Sequence, residues 1–98
     1  MTESRSHKTT ANRIAKKFHT EYNAGEGVDI KSTQATVEVE SSETVAEAPT
    51  QLRGYRGPVY IAGTNNDAVE KALEVTKGTT IGVMDNTGKV IRRSTRKK

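Results

Sequence analysis

An alternating segment in the first half of the chain is the feature that most restricts the fold. Residues 34–40 place apolar side chains at every second position, namely Ala35, Val37 and Val39. Side chains two residues apart on a β-strand point to the same face, so this period predicts a strand with one apolar face. A continuous apolar strand is predicted at Pro58–Ala62. The helical patterns on either side of that strand imply at least one parallel pairing in the sheet.

Helix and strand patterns alternate along the rest of the chain. A helix is predicted to start at Thr9 or Thr10, because apolar residues recur at helical spacing after it. The other predicted elements are a strand at Val28–Lys31, a helix from about Pro49, a helix capped by Asp67 and Glu70, and a hairpin around the turn Asp85–Gly88. The predicted fold class is α/β, with a mixed β-sheet flanked by helices.

Length and composition indicate one small domain. The chain has 98 residues, of which 32% are hydrophobic and 4% aromatic. We expect a disordered tail at residues 1–8, a single domain at 9–93 and a basic tail at 94–98. The chain has no cysteine, which excludes disulfides and thiolate metal sites. There is neither an apolar run of the roughly 20 residues that a membrane span needs nor a signal-peptide pattern, so a cytoplasmic location without membrane contact is expected.

The charges of the chain are unevenly distributed. Residues 34–50 contain four glutamates and no base, whereas the C-terminal end contains six bases and no acid. The bases of that end are Lys89, Arg92, Arg93, Arg96, Lys97 and Lys98. Such a division suggests a carboxylate site beside a surface that attracts polyanions. The alternative is a solvated tail that keeps the protein soluble.

Three acids lie where two neighbouring strands are predicted to meet. Glu38 and Glu40 share a strand face, and Asp29 opens the preceding strand. Mg²⁺ prefers oxygen ligands and keeps several waters, so Asp29 and Glu38 would suffice to bind Mg²⁺ or Mn²⁺. Two alternatives stay open. The glutamates could face solvent on an edge strand, where charge prevents aggregation, and Asp29 could cap a turn.

The order of these acids resembles the PD-(D/E)XK nuclease superfamily. Asp29 and Glu38 match its two metal-binding acids, and Glu40 stands where the family has Lys. Gln51 and Tyr55 match the Q-x-x-x-Y motif of RecB-type nuclease domains. The order of elements is also similar to that of small archaeal resolvase-type and restriction-type nucleases, which implies a restriction-endonuclease-like core.

The resemblance implies a Mg²⁺-dependent DNA endonuclease. Asp29 and Glu38 would hold the metal, and Glu40 would position water or a second ion. Gln51 and Tyr55 would support the site from one helix face. The residues expected to contact nucleic acid are Arg53, Arg56, Arg92, Arg93, Arg96, Lys97 and Lys98. DNA is favoured over RNA, and a homodimer that cuts two strands is compatible with this size.

Two departures from the family pattern favour a different class of function. Glu40 replaces the Lys that orients or activates water, and Asn12 stands where many members have an acid in the first helix. The alternative is a nuclease-like module that has lost catalysis and that binds nucleic acid or regulates another protein. Tyr55 would then be a residue at the edge of the core.

Overall fold

The fold is built on a five-stranded mixed sheet with helices on both faces. The computed structural model describes residues 5–20, 22 and 28–96. The strands are β1 (Ile30–Lys31), β2 (Thr36–Glu40), β3 (Val59–Gly63), β4 (Gly82–Met84) and β5 (Val90–Arg92). The helices are α1 (Arg5–Lys17), α2 (Ala48–Gln51) and α3 (Asn66–Val75), with a 3₁₀ turn at Val45–Glu47 before α2. The predicted α/β class and mixed sheet are confirmed.

The strands lie in the sheet in the order of the sequence, β1 to β5. The central pairings, β2 with β3 and β3 with β4, are parallel, and β1 and β5 are antiparallel to their neighbours. Each parallel pairing is connected through a helix, α2 or α3, as parallel strands require. None of the helices in the described part of the chain has both the length and the apolarity needed to cross a membrane.

The alternation of β2 assigns its side chains to two different layers. Val37 and Val39 are buried in a cluster with Ile14 of α1 and Tyr60 of β3. The opposite face of the sheet packs Ile61 and other apolar residues against α2 and α3. Since neighbouring side chains on a strand alternate, Glu38 and Glu40 belong to this second face. The predicted strand with one apolar face at Val37 and Val39 is confirmed.

Helix α1 begins earlier than predicted. It starts at Arg5 rather than at Thr9 or Thr10, so residues 5–8 are helical and only residues 1–4 of the expected tail lie outside the described chain. The helix ends at Lys17, and His19 just beyond it has a positive φ of 55°. The backbone N–H of Thr20 donates to the carbonyl of Ala15 at 2.9 Å, which is the pattern of a helix that ends in a left-handed residue.

Helix α2 is shorter than predicted. Pro49 lies in its first turn, as expected, but the helix ends at Gln51. The chain then turns through Gly54 and reaches Gly57, whose φ of 81° is incompatible with a helix, directly before a proline. Tyr55 therefore lies beyond the helix, and the helical spacing that was predicted to place it on one face with Gln51 is absent.

Side chains cap both ends of α3, and they are not the residues that the sequence patterns predicted. The N-cap is Asn65, whose Oδ1 accepts the backbone N–H of Ala68 at 2.9 Å, rather than Asp67. Gly78, with a φ of 79°, follows the helix. Arg92 of β5 donates to the carbonyl of Leu73 at 3.2 Å and also to the hydroxyl of Thr76. Arg92 thus caps the C-terminal end of α3.

The C-terminal residues dock onto the domain instead of forming a free tail. The Oγ of Ser94 donates to the carbonyl of Thr80 at 2.7 Å and accepts the backbone N–H of Val59 at 3.1 Å. The guanidinium of Arg96 donates to the carbonyls of Leu52 and Tyr55 at 2.7 and 2.9 Å. Residues 94–96 therefore fasten the turn after α2, and residues 97 and 98 lie outside the described chain.

We expect Arg96→Ala to lower the free energy of unfolding by about 1–3 kcal/mol, because it leaves two backbone carbonyls without a charged donor. Urea unfolding at neutral pH measures this. Arg93→Ala is the control: Arg93 is exposed, and its loss should change stability by less than about 0.5 kcal/mol. Equal effects of the two substitutions would contradict the docking role of Arg96.

Candidate carboxylate site

The structure brings the three predicted acids together at one place beside β2. Asp29 directly precedes β1, and the pairing of Ile30 with Val37 continues to place Asp29 beside Glu38. Asp29, Glu38 and Glu40 are all buried, with 8%, 6% and 6% of their surface exposed. Because β2 lies between β1 and β3, the alternative of solvent-facing glutamates on an edge strand is wrong.

Asp29 has two roles in holding this corner of the domain together. Its Oδ2 accepts the backbone N–H of Val39 at 2.8 Å, at the end of β2 that the two-residue β1 does not cover. The same oxygen lies 3.2 Å from Nε2 of His7 on α1. Asp29 therefore accepts a backbone N–H from the neighbouring strand β2 and not from its own turn, which was the alternative considered.

Glu38 is strongly biased towards its protonated form. The pKa of Glu38 is raised from 4.5 to about 9, and burial is the largest cause. The Asp29 carboxyl, which is close enough to share a hydrogen-bonded proton, and the charge of Glu40 contribute to this rise, while a backbone hydrogen bond from Asp29 opposes it. Near neutral pH one proton thus remains in the cluster.

Glu40 differs from Glu38 in having partners that stabilise its charge. The pKa of Glu40 is raised to about 7, mainly by burial and also by the charge of Asp29. A hydrogen bond from Thr44 and the imidazole of His7 act in the opposite direction. Glu40 therefore changes its protonation near neutral pH, which is the property that a general base needs.

His7 is a member of the cluster that the sequence did not indicate. It was assigned to a disordered tail, but the early start of α1 carries it to Asp29. Its ring packs edge-on against Tyr22 at a centroid distance of 5.8 Å, and the Tyr22 hydroxyl lies 3.4 Å from Nδ1. A contact across 22 residues, between a helix and a strand, leaves no signal in local spacing.

The carboxylate oxygens of the cluster suit a hard divalent cation, but the number of protein ligands that they supply is small. In the described part of the chain, no group of three or more His, Cys, Asp or Glu side chains is arranged to hold a metal ion. Asp29 and Glu38 supply two adjacent carboxyls, a number that suffices for Mg²⁺ when waters complete the shell. Every buried side-chain N or O atom of the described residues also has a hydrogen-bond partner. The protonated cluster therefore leaves no buried polar atom unsatisfied.

The two residues of the Q-x-x-x-Y pattern do not join the acids. Gln51 is exposed at the end of α2. Tyr55 is half-buried and lies in a separate cleft, where the ammonium of Lys31 is 5.8 Å from the centroid of its ring. That cleft adjoins the acids, because Lys31 and Asp29 are two residues apart. Tyr55 is thus a neighbour of the carboxylate site and not part of it.

The basic residues expected to bind nucleic acid fall into three groups. Arg53, Arg56 and Arg93 are exposed. Arg92 and Arg96 donate to backbone and hydroxyl groups inside the domain, and their role as phosphate contacts stays a prediction. Lys97 and Lys98 lie outside the described residues. The exposed positive charge of the described chain is therefore concentrated less at the C-terminus than predicted.

Comparison with known proteins identified no relative: no family model, curated protein or solved structure matches this chain. The relation to PD-(D/E)XK nucleases accordingly depends on the motif residues alone. The α/β architecture and the convergence of Asp29, Glu38 and Glu40 are properties of the structure itself.

Proposed function

We propose that the chain is a nucleic-acid-processing protein, most concretely a Mg²⁺- or Mn²⁺-dependent DNA endonuclease, whose site is the carboxyl cluster. The observation that carries the proposal is the burial of Asp29, Glu38 and Glu40 at one place. Buried like charges destabilise a fold unless a proton or a cation neutralises them. A cluster of this kind is a candidate for function, because acids are seldom buried together for stability alone.

Each acid has a distinct role in this proposal. Asp29 and Glu38 would hold the cation, with Glu38 giving up the proton that it otherwise retains. Bound Mg²⁺ polarises a phosphoryl oxygen and lowers the pKa of bound water. Glu40, whose pKa is about 7, would take the proton of the attacking water in the place where the nuclease family has Lys. Thr44 would keep the Glu40 carboxylate oriented.

The experiment is a cleavage assay on single-stranded and duplex DNA and RNA with Mg²⁺ or Mn²⁺. Wild type should cut at least one of these substrates, and the isosteric variants Glu38→Gln and Glu40→Gln should not, although both should still bind nucleic acid. Glu43→Gln is the matched control, because Glu43 is exposed on the same acidic segment. Absence of cleavage by wild type under all conditions would exclude the endonuclease.

A second candidate is a catalytically inactive nuclease-like module that binds nucleic acid or regulates another protein. Two observations favour it. Every buried polar side-chain atom of the described residues has a hydrogen-bond partner without a metal, and no described group of three His, Cys, Asp or Glu side chains suits an ion. Nucleic-acid binding by wild type without any Mg²⁺-dependent cleavage would make this candidate the better one.

A further inference from the structure

A cleft beside the carboxyl cluster has features that the proposed reaction does not use. It lies between the turn that joins β1 to β2 and the loop that leads from α2 to β3, and it has a volume of about 490 Å³. Sites for small organic groups usually have volumes of about 300–1,000 Å³. A second cleft of about 440 Å³ shares Lys31, Ser32 and Thr33 with the first, so the two follow one another around the turn.

The charged side chains that line the first cleft are basic. Lys31 and Arg56 are the charged residues among the described side chains that line it, and both are exposed. Tyr55 lines the same cleft, and the ammonium of Lys31 lies over one face of its ring, 5.8 Å from the centroid. The second cleft adds Phe18 and His19 and again no acid among its described residues. Basic groups alternating with aromatic rings are what a flexible polyanion with flat bases requires.

The position of the cleft connects it with the acids. Lys31 is two residues after Asp29, and Thr36, which lines the cleft, is two residues before Glu38. Two residues along a strand span about 7 Å, which is close to the spacing of successive phosphates in an extended nucleic-acid strand. The cleft therefore lies about one nucleotide from the carboxyl cluster along β1 and β2.

We propose that the cleft binds a single-stranded nucleic acid, with one base stacked on Tyr55 and the adjoining phosphates bound by Lys31 and Arg56. This rests on the proposed function, of which it specifies the substrate class. A duplex is disfavoured because its bases are stacked inside and cannot reach the Tyr55 ring, whereas a single strand exposes every base face. The backbone phosphates supply the negative charge that the cleft complements.

Gly54 allows a direct test with little risk to the fold. It lines the cleft, and a Cβ added there would meet no atom within 4 Å. Gly54→Glu places a negative charge in the cleft, and Gly54→Gln is its neutral isostere. We expect Gly54→Glu to weaken binding of a short fluorescent oligothymidylate by about ten-fold relative to Gly54→Gln, measured by anisotropy in EDTA at low salt.

Further variants separate stacking from charge. Tyr55→Phe should bind the oligothymidylate like wild type, whereas Tyr55→Leu should bind about five-fold or more weakly, because stacking is lost. An abasic strand of equal length should lose the same factor with wild type and nothing further with Tyr55→Leu. Arg56→Gln and Lys31→Gln should each weaken binding and flatten its salt dependence.

The outcomes distinguish this proposal from the proposed function. EDTA removes cleavage, so binding that follows the expected pattern supports the cleft even if no cleavage is ever found with Mg²⁺. Equal affinity of the two Gly54 variants would overturn the proposal. So would a preference for duplex, or an acidic peptide that binds as tightly as the oligothymidylate.

Discussion

Replacing Glu38 with Gln should stabilise the protein at about pH 8, by about 2–4 kcal/mol, and should have little effect at about pH 5. Gln has the shape of the protonated acid and can donate to Asp29 as the acid does, but it cannot acquire a charge. Most substitutions of buried residues destabilise a protein, so a gain of this size in a small domain is a specific consequence of the cluster.

The pH window follows from the direction of the shift. In the unfolded chain Glu38 loses its proton near pH 4.5, whereas burial raises its pKa to about 9 in the folded protein. The folded state therefore binds more protons than the unfolded state between these values, and its stability falls as the pH rises through the window. Each tenfold difference in proton affinity is worth about 1.4 kcal/mol. Part of the pKa shift belongs to the Asp29–Glu38 pair and not to Glu38 alone, so the expected gain in free energy of unfolding is limited to the range given above.

Thermal unfolding across this pH range, for wild type and Glu38→Gln, measures the effect. Wild type should lose stability steadily from about pH 5 to 9, and the variant should lose clearly less, with Glu40 accounting for its residual slope near its pKa of about 7. Glu43→Gln, at an exposed position, should keep the wild-type slope. Parallel curves for wild type and Glu38→Gln would mean that Glu38 is ionised in the folded protein.

Gly82→Ala should be among the most damaging single substitutions, with a loss of about 3 kcal/mol or more. A Cβ at this position would lie 2.5 Å from the carbonyl oxygen of Arg92, from the backbone N of Ser94 and from Cε1 of Tyr60. Two of these atoms belong to the backbone of β5 and the segment that follows it, so they cannot move without displacing that strand. Glycine in β4 thus allows the Tyr60 ring and the β5 edge to approach the sheet.

Gly54→Ala is the matched control for Gly82→Ala, because a Cβ at Gly54 meets no atom within 4 Å. It should leave stability within about 0.5 kcal/mol of wild type or raise it slightly through the unfolded state. Chemical unfolding of the two variants in the same buffer gives the comparison. Similar stabilities for both would show that the β5 edge adapts at no cost.

The extent to which the fold followed from the sequence differs from element to element. The period of β2 and the turn at Asp85–Gly88 are local signals, and the structure confirms them. The length of α2 was predicted incorrectly because the apolar spacing continues to Tyr55, whereas the helix ends at Gln51 and the chain turns before Gly57. The docking of Ser94 and Arg96 depends on contacts with residues far away in the chain, which no local pattern encodes.

In the candidate site, the proximity of the acids could be predicted from strand pairing. The burial of the acids, the contact of His7 and the position of Tyr55 depend on tertiary packing and could not. Asp29 and Glu38 meet because β1 and β2 form a hairpin. Their burial depends on how the helices cover that face of the sheet, and local charge suggested exposure instead. His7 reaches Asp29 only because α1 extends to Arg5. Tyr55 lies in the cleft, and not beside the acids as predicted, because α2 ends before it.

The central claim is that the carboxyl cluster takes up a divalent cation in place of its proton. The most direct measurement is the thermal unfolding temperature at about pH 8 as Mg²⁺ or Mn²⁺ is added, for wild type, Glu38→Gln and Glu43→Gln. At about tenfold excess over the dissociation constant, wild type and Glu43→Gln should gain about 1.4 kcal/mol, equivalent to several degrees. Glu38→Gln, which starts more stable, should gain nothing. An unchanged wild type, or an equal gain in all three proteins, would contradict the claim and leave the cluster as a proton-sharing element of the fold.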